Sequence, residues 1–486
     1  MGLEKSGLAK APTGIEGLDE ITTGGLPAGR TTLVCGSAGS GKTVFGLEFL
    51  VHGALNFGEP GVFMAFEETP NELTQNVASF GFDLAQLEQD GKLAIDHVFI
   101  ERNEIEETGE YDLEGLFIRL GSAVDSVGAK RVVLDTLEVL FAGLRDQALI
   151  RAELRRLFRW LKERGLTAIV TGERGDGTLT RYGLEEYVAD CVILLDNRVC
   201  DQISTRRLRI VKYRGSMHGG DEYPFLMGPQ GISVFPLTSV GLTHGASGER
   251  VSSGVSELDA MLGAKGFFKG SSILVSGTPG TGKSSLALAF LKAACERGEK
   301  TLYFGFEESQ AQIIRNMSSI GLDLQPYVDE GLLQIHSVRP SNLGLEAHLA
   351  SMSQIITKVD PCAVVIDPIS NFITAADQSG VKSMLIRLVD FLKMRQITAL
   401  FTHLTSLSTS PDRTDENISS IMDTWILLRD LENDGFRSCG ILVLKSRGMA
   451  HSHELRQFFL RDDGIHVGEI CNQELASIRS ATTSFA

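Results

Sequence analysis

The sequence predicts an α/β fold that occurs twice along one chain. Each copy is expected to be a mostly parallel sheet flanked by helices. The duplication rests on five pairs of motifs that recur in the same order, with about 240 residues between the members of a pair. The pairs are TGIEGLDE and SGVSELDA, GSAGSGKT and GTPGTGKS, FMAFEET and YFGFEES, VVLDTL and VVIDPI, and KYRGSMH and KSRGMAH. We therefore expect two homologous domains, residues 1–245 and 246–486.

Short apolar runs within each copy predict buried strands, because strands covered on both faces are apolar throughout. Amphipathic segments such as LIRAELRRLFRWLKERG and VKSMLIRLVDFLKMRQ separate several of them and predict helices. The runs are TTLVCG, GVFMAF, RVVLDTL, TAIVTGE and CVILL in the first copy and SSILVSG, TLYFGF, AVVIDPI, ITALFTH and TWILL in the second. Three later segments of the first copy follow one another closely and predict an antiparallel extension, RRLRIVKYRG, EYPFLMG and GISVFPL.

The composition is typical of a soluble globular protein, with 43% hydrophobic and 22% charged residues to build cores and surface. The formal net charge of −16 opposes general attraction to nucleic acid, which depends on basic residues, so we expect no nucleic-acid partner. The N-terminal sequence lacks the apolar core of a signal peptide, and no apolar run reaches about 18 residues. We therefore expect no membrane segment and a cytoplasmic protein.

The motif GxxxxGK[ST] occurs in each copy between a predicted strand and a predicted helix, which is the setting of a P-loop. Glycines let successive backbone N–H groups turn toward phosphate oxygens, and the following helix adds its N-terminal dipole. We expect the lysines to bind the β- and γ-phosphates of ATP or ADP and the hydroxyls of Thr43 and Ser284 to ligate Mg²⁺. A glycine-rich turn without nucleotide is the alternative. The candidate nucleotide-binding residues are Gly36, Ser37, Ala38, Gly39, Ser40, Gly41, Lys42 and Thr43, and Gly277, Thr278, Pro279, Gly280, Thr281, Gly282, Lys283 and Ser284.

Acidic residues follow two of the predicted strands in each copy. Asp135 and Asp367 each end an apolar run, which places a carboxylate at the sheet edge beside the P-loop, suited to holding Mg²⁺ through water. Paired glutamates also end predicted strands, where one of each pair can orient or deprotonate the attacking water or hydroxyl. The alternative for the aspartates and for the glutamates is that they are solvated residues at strand ends. The candidate catalytic residues are Glu67, Glu68, Glu307 and Glu308.

A Lys-x-Arg sequence late in each copy puts two basic side chains on one face of a predicted strand. Because these residues lie far from the P-loop along the chain, they suit reaching the γ-phosphate held by a neighbouring subunit. A solvated strand face is the alternative. The candidates are Lys212 and Arg214, with His218 of the same motif, and Lys445 and Arg447.

The ordered set of motifs resembles the KaiC family, tandem-domain ATPases of the RecA superfamily known from the cyanobacterial clock. The resemblance extends from Thr13 to Gly468 and is most specific in RYGLEEYVAD, KYRGSMHGGDEYPF, SRGMAHSHELRQF and ENISSIMDT. It implies two RecA-like P-loop domains that each form a ring of six subunits, with the two rings stacked. It also implies ATP between subunits, held by the P-loop of one subunit and reached by the Lys-x-Arg residues of the next.

The resemblance further implies a division of labour between the rings. The first ring hydrolyses ATP slowly, and the second transfers phosphate to an adjacent pair of hydroxyls and takes it back. That pair falls on Ser419 and Ser420, with Thr414 matching a nearby family threonine. A KaiB-like or other response protein is the implied partner. The second acceptor is serine where the family has threonine, and the short tail ICNQELASIRSATTSFA argues against dependence on KaiA.

Three functions fit these features. The preferred one is a homohexameric Mg²⁺–ATP-dependent ATPase and serine autokinase that acts in signalling or timing. A RecA-like recombinase or DNA translocase shares the fold and the P-loop, but the net charge of −16 and the lack of a basic aromatic loop oppose it. A non-catalytic scaffold held together by ATP is opposed by complete sets of glutamates and Lys-x-Arg residues in both copies.

Overall fold

The structure is a computed structural model that describes residues 8–98, 114–141, 147–175, 178–180, 188–200, 203–236, 245–339, 344–374, 378–405, 416–433 and 436–471. The chain divides into two compact units, Met1–Ser239 and Val240–Ala486. Each unit contains a sheet of nine strands and a sheet of two. The prediction of two copies of an α/β fold is confirmed. The exact domain boundary between residues 245 and 246 stays a prediction.

The first unit alternates strands and helices along most of its length. Its strands are β1 Lys10–Ala11, β2 Leu26–Pro27, β3 Thr31–Gly36, β4 Gly61–Ala65, β5 Leu93–His97, β6 Arg131–Asp135, β7 Thr167–Glu173, β8 Cys191–Cys200, β9 Ile203–Tyr213, β10 Glu222–Gly228 and β11 Gly231–Val234. Its described helices are Leu18–Ile21, Lys42–Asn56, Pro70–Val77, Leu84–Gln89, Glu114–Val127, Leu137–Phe141 and Gln147–Glu163, with a 3-10 turn at Ala78–Phe80.

The second unit repeats this order. Its strands are β12 Arg250–Val251, β13 Phe267–Phe268, β14 Ser272–Gly277, β15 Thr301–Gly305, β16 Leu333–Ser337, β17 Ala363–Asp367, β18 Thr398–Leu404, β19 Thr424–Asn433, β20 Phe436–Ser446, β21 Arg456–Arg461 and β22 Gly464–Ile470. Its described helices are Ser256–Met261, Lys283–Glu296, Gln310–Ser318, Gln325–Asp329, Leu345–Val359, Gln378–Met394 and Glu416–Ser419, with a 3-10 helix at Ile369–Thr374.

The large sheets have the same strand order, and the P-loop strand lies inside each. The order is β11-β10-β9-β8-β3-β7-β6-β4-β5 in the first unit and β22-β21-β20-β19-β14-β18-β17-β15-β16 in the second. The strands from β8 to β5 pair in parallel, whereas β9, β10 and β11 are antiparallel. The predicted antiparallel extension is therefore confirmed. The sequence did not predict the outer strands β5 and β16, which are only partly buried and carry polar residues.

Helices cover both faces of the parallel strands, which explains why the apolar runs do not alternate with polar residues. In β3, Val34 packs in the cluster that contains Phe45 of the helix Lys42–Asn56. Its neighbour Leu33 packs in a second cluster with Leu154 of the helix Gln147–Glu163. Successive side chains of a strand point to opposite faces. The P-loop strand is thus fixed from both sides.

A buried arginine ties the P-loop helix of the first unit to the sheet. Arg131, which is 0% exposed, donates to the carbonyl oxygens of Phe49 at 2.9 Å and Pro12 at 2.8 Å, and to Glu59 at 2.6 Å. A Cβ atom at Gly53 would lie 2.5 Å from the Cδ atom of Arg131, so this turn of the helix needs glycine to admit the arginine. The guanidinium thus satisfies carbonyl groups that have lost contact with water.

Replacing this arginine should destabilise the first unit. We expect Arg131→Met to lower the free energy of unfolding by about 2–4 kcal/mol, because buried acceptors lose their donor. Arg119→Met is the matched control, since Arg119 pairs with Asp96 at the surface and should cost about 0–1 kcal/mol. Urea unfolding followed by the fluorescence of Trp160, in a Trp425→Phe background, reports on the first unit. Equal losses in the two variants would contradict the assignment.

Candidate functional site

Each P-loop leaves an inner strand of its sheet and enters a long helix. The loop after β3 ends at Gly41, which has a φ of 102° and precedes the helix Lys42–Asn56. The loop after β14 ends at Gly282, with a φ of 89°, before the helix Lys283–Glu296. Side chains are strained in this backbone conformation, so glycine is required there. The N–H groups of each first helical turn lack helical partners and are suited to phosphate oxygens.

The P-loop lysines are buried within their own loops. The Nζ atom of Lys42 donates to the carbonyl oxygens of Gly36, the last residue of β3, at 2.9 Å and of Ser37, the first loop residue, at 3.0 Å. Lys283 makes the same two bonds at 3.0 and 2.7 Å. Burial lowers the pKa of Lys283, and the negative charges of Asp367 and Glu307 oppose this effect. Both ammonium groups therefore lie at the base of the loop.

In the first unit the aspartate at the end of β6 joins the P-loop to the sheet. Asp135 accepts a hydrogen bond from Thr43 at 2.7 Å and another from Thr171 on β7, the strand between β6 and β3. Burial raises the pKa of Asp135, and the hydrogen bonds from Thr171 and Thr43 oppose the rise. The carboxylate that the sequence placed beside the P-loop is thus in direct contact with the P-loop hydroxyl.

In the second unit the equivalent carboxylate has a different partner. Asp367 accepts from Thr402 on β18, as Asp135 does from Thr171. Its other oxygen accepts from the hydroxyl of Tyr303 on β15 at 2.5 Å. Ser284 is a further hydrogen-bonding neighbour of this hydroxyl. Burial raises the pKa of Tyr303 well above its ordinary value, and the negative charge of Asp367 adds to the rise.

The paired glutamates follow their strands and do not end them, which corrects the sequence prediction. Strands β4 and β15 end at Ala65 and Gly305, where their register with the aspartate strands also ends. The alternation of side chains along a strand therefore does not separate the members of each pair. The hydrogen-bond partners distinguish the two glutamates instead. The second glutamate of each pair accepts a hydrogen bond from an asparagine on the next helix. The bonds are Asn76 to Glu68 at 3.5 Å and Asn316 to Glu308 at 3.1 Å.

The first glutamate of each pair faces the aspartate edge of the sheet. Loss of solvent raises the pKa of Glu67, and repulsion from Glu173 and Asp135 raises it further. Glu307 accepts from Asn371 at 3.1 Å. Glu173 ends β7 opposite Gly36, whereas the same position in the second unit is Leu404.

Part of the P-loop, both glutamates and the aspartate of the second unit meet in one cleft of about 440 Å³, whereas the Lys-x-Arg residues and the serines are not among its lining residues in the described part of the chain. Its walls combine cationic, anionic and hydroxyl groups with apolar side chains. The predicted residues among those that line it are Pro279, Gly280, Gly282, Lys283, Ser284, Glu307, Glu308 and Asp367. The P-loop, the strand-end carboxylate and the glutamates are therefore adjacent, as the motifs indicated.

The Lys-x-Arg residues do not share one strand face, which corrects a second prediction. The lysines lie in β9 and β20, whereas Arg214 and Arg447 come after the last residue of those strands. A shift of register interrupts the pairing just before each lysine, between Val192 and Ile193 on β8 and between Trp425 and Ile426 on β19. Such a bulge adds one residue to one strand and re-aims the side chains that follow.

In the first unit these residues lie apart from the P-loop contacts. Lys212 donates to the carbonyl oxygen of Ala189 at 2.8 Å, and the ring of His218 stacks on Tyr213 with 6.3 Å between centroids. Arg214 lines a separate cleft with Arg151, Arg155 and Val188.

In the second unit the Lys-x-Arg residues hold the segment that carries the candidate acceptors. Lys445 donates to the carbonyl oxygens of Ser419 at 3.0 Å and Met422 at 2.8 Å, and Arg447 donates to that of Ser420 at 2.6 Å. Ser419 is half-buried at the end of the helix Glu416–Ser419, and Ser420 is exposed. Thr414 lies outside the described residues.

Several residues of the site were missed at the level of sequence. Asn76 and Asn316 each follow the second glutamate of their pair by eight residues, so their recurrence was a usable signal. Tyr303 begins the motif YFGFEES and Glu173 ends the run TAIVTGE, but the other copy has Phe63 and Leu404 at these positions, so the repeat gave no signal for either side chain.

Comparison with known proteins identifies the family of the chain. A family model described as "ATPase: KaiC" matches residues 11–239 and 251–472. "Circadian clock protein KaiC2" of Synechocystis sp. is 53% identical over 464 residues, covering 95% of this chain and 82% of that protein. "Circadian clock oscillator protein KaiC" of Synechococcus elongatus is 40% identical over 464 residues, covering 95% and 89%. The protein of the same name from Parathermosynechococcus lividus is 39% identical over 467 residues, covering 96% and 86%.

Fold and site together define a nucleotide-binding ATPase with two tandem RecA-like P-loop domains. The chain belongs to the KaiC family. The resemblance inferred from its motifs is therefore confirmed.

The carboxylate of Glu173 should contribute to the pH dependence of the first domain, after the larger effect of burial on Glu67. As a candidate general base, Glu67 would have to be ionised to accept a proton, so we expect turnover to fall as the pH falls through its raised pKa. Glu173→Gln removes a repulsion, lowers the pKa of Glu67 and should move the acidic limb to lower pH by up to about one unit. The measurement is kcat/KM for ATP against pH in a chain whose second P-loop carries Lys283→Ala. Glu163→Gln, at an exposed helix end, is the control, and a limb that moves to higher pH would contradict the prediction.

Proposed function

We propose that the chain is a homohexameric ATPase and serine autokinase that binds Mg²⁺–ATP in each domain. The first domain hydrolyses ATP, and the second transfers phosphate to Ser419 and Ser420 and takes it back. The observation that carries the proposal is the contact of Lys445 and Arg447 with the backbone of both serines. Residues suited to binding a γ-phosphate and residues suited to receiving it are thereby held together.

The residues of both sites fit a nucleotide with Mg²⁺. Each P-loop offers N–H groups at a helix N-terminus and a buried lysine, as phosphates require. The hydroxyls of Thr43 and Ser284 would ligate the cation, with Asp135 and Asp367 holding its water ligands. Bound Mg²⁺ would supply neutralisation of the charge on the phosphate oxygens.

Hydrolysis in the first domain needs a base for the attacking water. The raised pKa of Glu67 brings this carboxylate closer to neutral pH, where a general base works best. Glu67 or Glu68 takes the proton as the water oxygen bonds to the γ-phosphorus. The bond from phosphorus to the oxygen of ADP breaks, and Lys42 offsets charge on the departing groups.

Phosphate transfer in the second domain uses the same arrangement with a hydroxyl in place of water. Glu307 or Glu308 takes the proton of the serine hydroxyl, whose oxygen bonds to the γ-phosphorus while ADP leaves. Lys283 holds the phosphate, and Lys445 and Arg447 offset the developing charge. Reversal of these bond changes returns the phosphate to ADP.

Transfer between subunits accounts for the placement of the serines. Among the described residues, those that line the P-loop cleft of the second unit include neither serine. Both serines are bound instead to Lys445 and Arg447, which we propose reach into the cleft of the adjacent subunit. When Lys445 and Arg447 enter the neighbouring cleft, the two serines of their own subunit would enter with them. Repeating this contact from subunit to subunit would form a ring, and we propose six subunits because membership of the KaiC family implies that number.

The partners and setting complete the proposal. The names of the relatives speak of a circadian clock, and we propose a signalling or timing role here, with a KaiB-like or other response protein as partner. The net charge of −16 supports a function without nucleic acid and opposes the RecA-like recombinase. No helix in the described part of the chain has the length and apolarity to cross a membrane, and we propose a cytoplasmic protein.

Mixing two inactive variants tests this function. A Lys283→Ala chain keeps the serines but lacks the donor site, and a Ser419→Ala–Ser420→Ala chain keeps the donor site. With γ-labelled ATP we expect little label on either variant alone and label on the Lys283→Ala chain, marked by a size tag, in the mixture. Adding Glu307→Gln–Glu308→Gln to the donor chain should slow labelling by about 100-fold or more, the usual contribution of a general base.

The outcomes separate the parts of the proposal. Label on wild type but none on the tagged chain of the mixture would contradict transfer between subunits. Equal labelling of wild type and of the double alanine variant would contradict the assignment of the two serines, leaving the ATPase.

A further inference from the structure

The second domain carries a buried tyrosine at the position where its P-loop hydroxyl would be expected to bind. In the first domain the Oδ2 atom of Asp135 accepts from the P-loop residue Thr43 at 2.7 Å. In the second the Oδ2 atom of Asp367 accepts from Tyr303 at 2.5 Å. The other oxygen of each aspartate accepts from a threonine of the adjacent strand. The two carboxylates thus differ in a single partner.

Two residues of β15, Tyr303 and Gly305, account for this difference between the domains. Tyr303 lies in register with Val365, two residues before the pair of Gly305 and Asp367. The first domain has Phe63 and Ala65 at the corresponding positions. A Cβ atom at Gly305 would lie 2.9 Å from the Cε1 atom of the tyrosine ring, closer than real Cβ contacts occur. Glycine therefore makes the room that the ring occupies on its way to the carboxylate.

The tyrosine changes where a metal-ligating hydroxyl can place its proton. A hydroxyl that turns a lone pair toward a cation must donate its hydrogen to another acceptor. Thr43 already donates to a carboxylate, which is a charged acceptor and forms hydrogen bonds about twice as strong as neutral ones. Ser284 has the neutral oxygen of Tyr303 as its neighbour, while Tyr303 occupies the oxygen of Asp367.

We propose that Tyr303 is a positioning residue that weakens binding of the divalent cation that accompanies nucleotide in the second domain. The proposal rests on the proposed Mg²⁺–nucleotide sites and deepens them by making the two sites of one chain unequal. The first domain would hold its cation tightly through the bond from Thr43 to Asp135. The second would release it more readily, which suits a site whose phosphate transfer is reversible.

Titration with Mn²⁺ tests the inference without measuring turnover. The full chain is saturated with ADP, and free Mn²⁺ is followed by electron paramagnetic resonance. We expect wild type to bind two Mn²⁺ ions per chain in two classes that differ by about fivefold to tenfold in affinity, the difference between a charged and a neutral hydrogen bond. Tyr303→Phe frees the oxygen of Asp367 for Ser284 and should convert the weak class into a second tight one.

The reciprocal change in the first domain provides the matched control. Phe63→Tyr together with Ala65→Gly introduces the hydroxyl and the space for its ring. Both Mn²⁺ sites of this variant should then bind weakly and form a single class. Phe63→Tyr alone meets the Cβ atom of Ala65 and should have a smaller effect. A role for Tyr303 in packing alone would not predict this gain of a weak site in the other domain.

The results that would overturn the inference are distinct from those that would overturn the proposed function. Equal affinities in wild type, or a weak class that Tyr303→Phe leaves unchanged or makes weaker, would reject the role of the tyrosine and leave both Mg²⁺ sites standing. Wild type that retains ADP but binds no Mn²⁺ with it would reject the proposed metal sites and the inference together.

Discussion

The hydrogen bond between a strand-end aspartate and the threonine of the next strand fixes the geometry of both sites. Thr171 binds Asp135, and Thr402 binds Asp367, in each case from the strand between the aspartate and the P-loop. Both carboxylates are almost fully buried, so a lost partner would leave a costly unsatisfied group. The bond therefore helps to set the distance from carboxylate to P-loop. The residue before each glutamate pair is tied to the same aspartate, because Phe66 and Phe306 donate their N–H groups to the carbonyl oxygens of Asp135 and Asp367 at 3.0 Å.

The two domains keep this scaffold and differ at the edge of the cleft. A phenylalanine in one copy is a tyrosine in the other, and Glu173 in one is Leu404 in the other. The change from phenylalanine to tyrosine alters the hydrogen-bond partner of the aspartate. The change from Glu173 to Leu404 alters the charge near the first glutamate of the pair. Neither change disturbs strand order or register. One fold can thus hold two sites with different electrostatics.

The fold and the centre of each site could be predicted because they depend on local pattern. Apolar runs identify β3 and β14, and glycine at Gly41 and Gly282 permits the positive φ angles of the turn that follows. The lysine of each P-loop and the aspartate of each strand end lie where the motifs place them. The repeat strengthened each prediction, since a chance motif would not recur in order.

What the sequence could not predict depends on pairing between distant residues. The glutamates were placed at strand ends, but β4 and β15 end with their pairing to β6 and β17, two residues earlier. The arginines were placed on a strand face, but a bulge whose position no motif marks precedes them. The bonds from Lys445 to the acceptor segment join residues that are far apart in sequence, so only the folded chain reveals them.

The count of bound nucleotides tests the central claim that each domain holds its own. Chains are incubated with ADP and Mg²⁺, separated from free nucleotide, denatured and analysed for nucleotide per chain. The account predicts two nucleotides for wild type, one each for Lys42→Ala and Lys283→Ala, and none for the double variant, because each lysine serves one loop. A double variant that retains the wild-type count would contradict it.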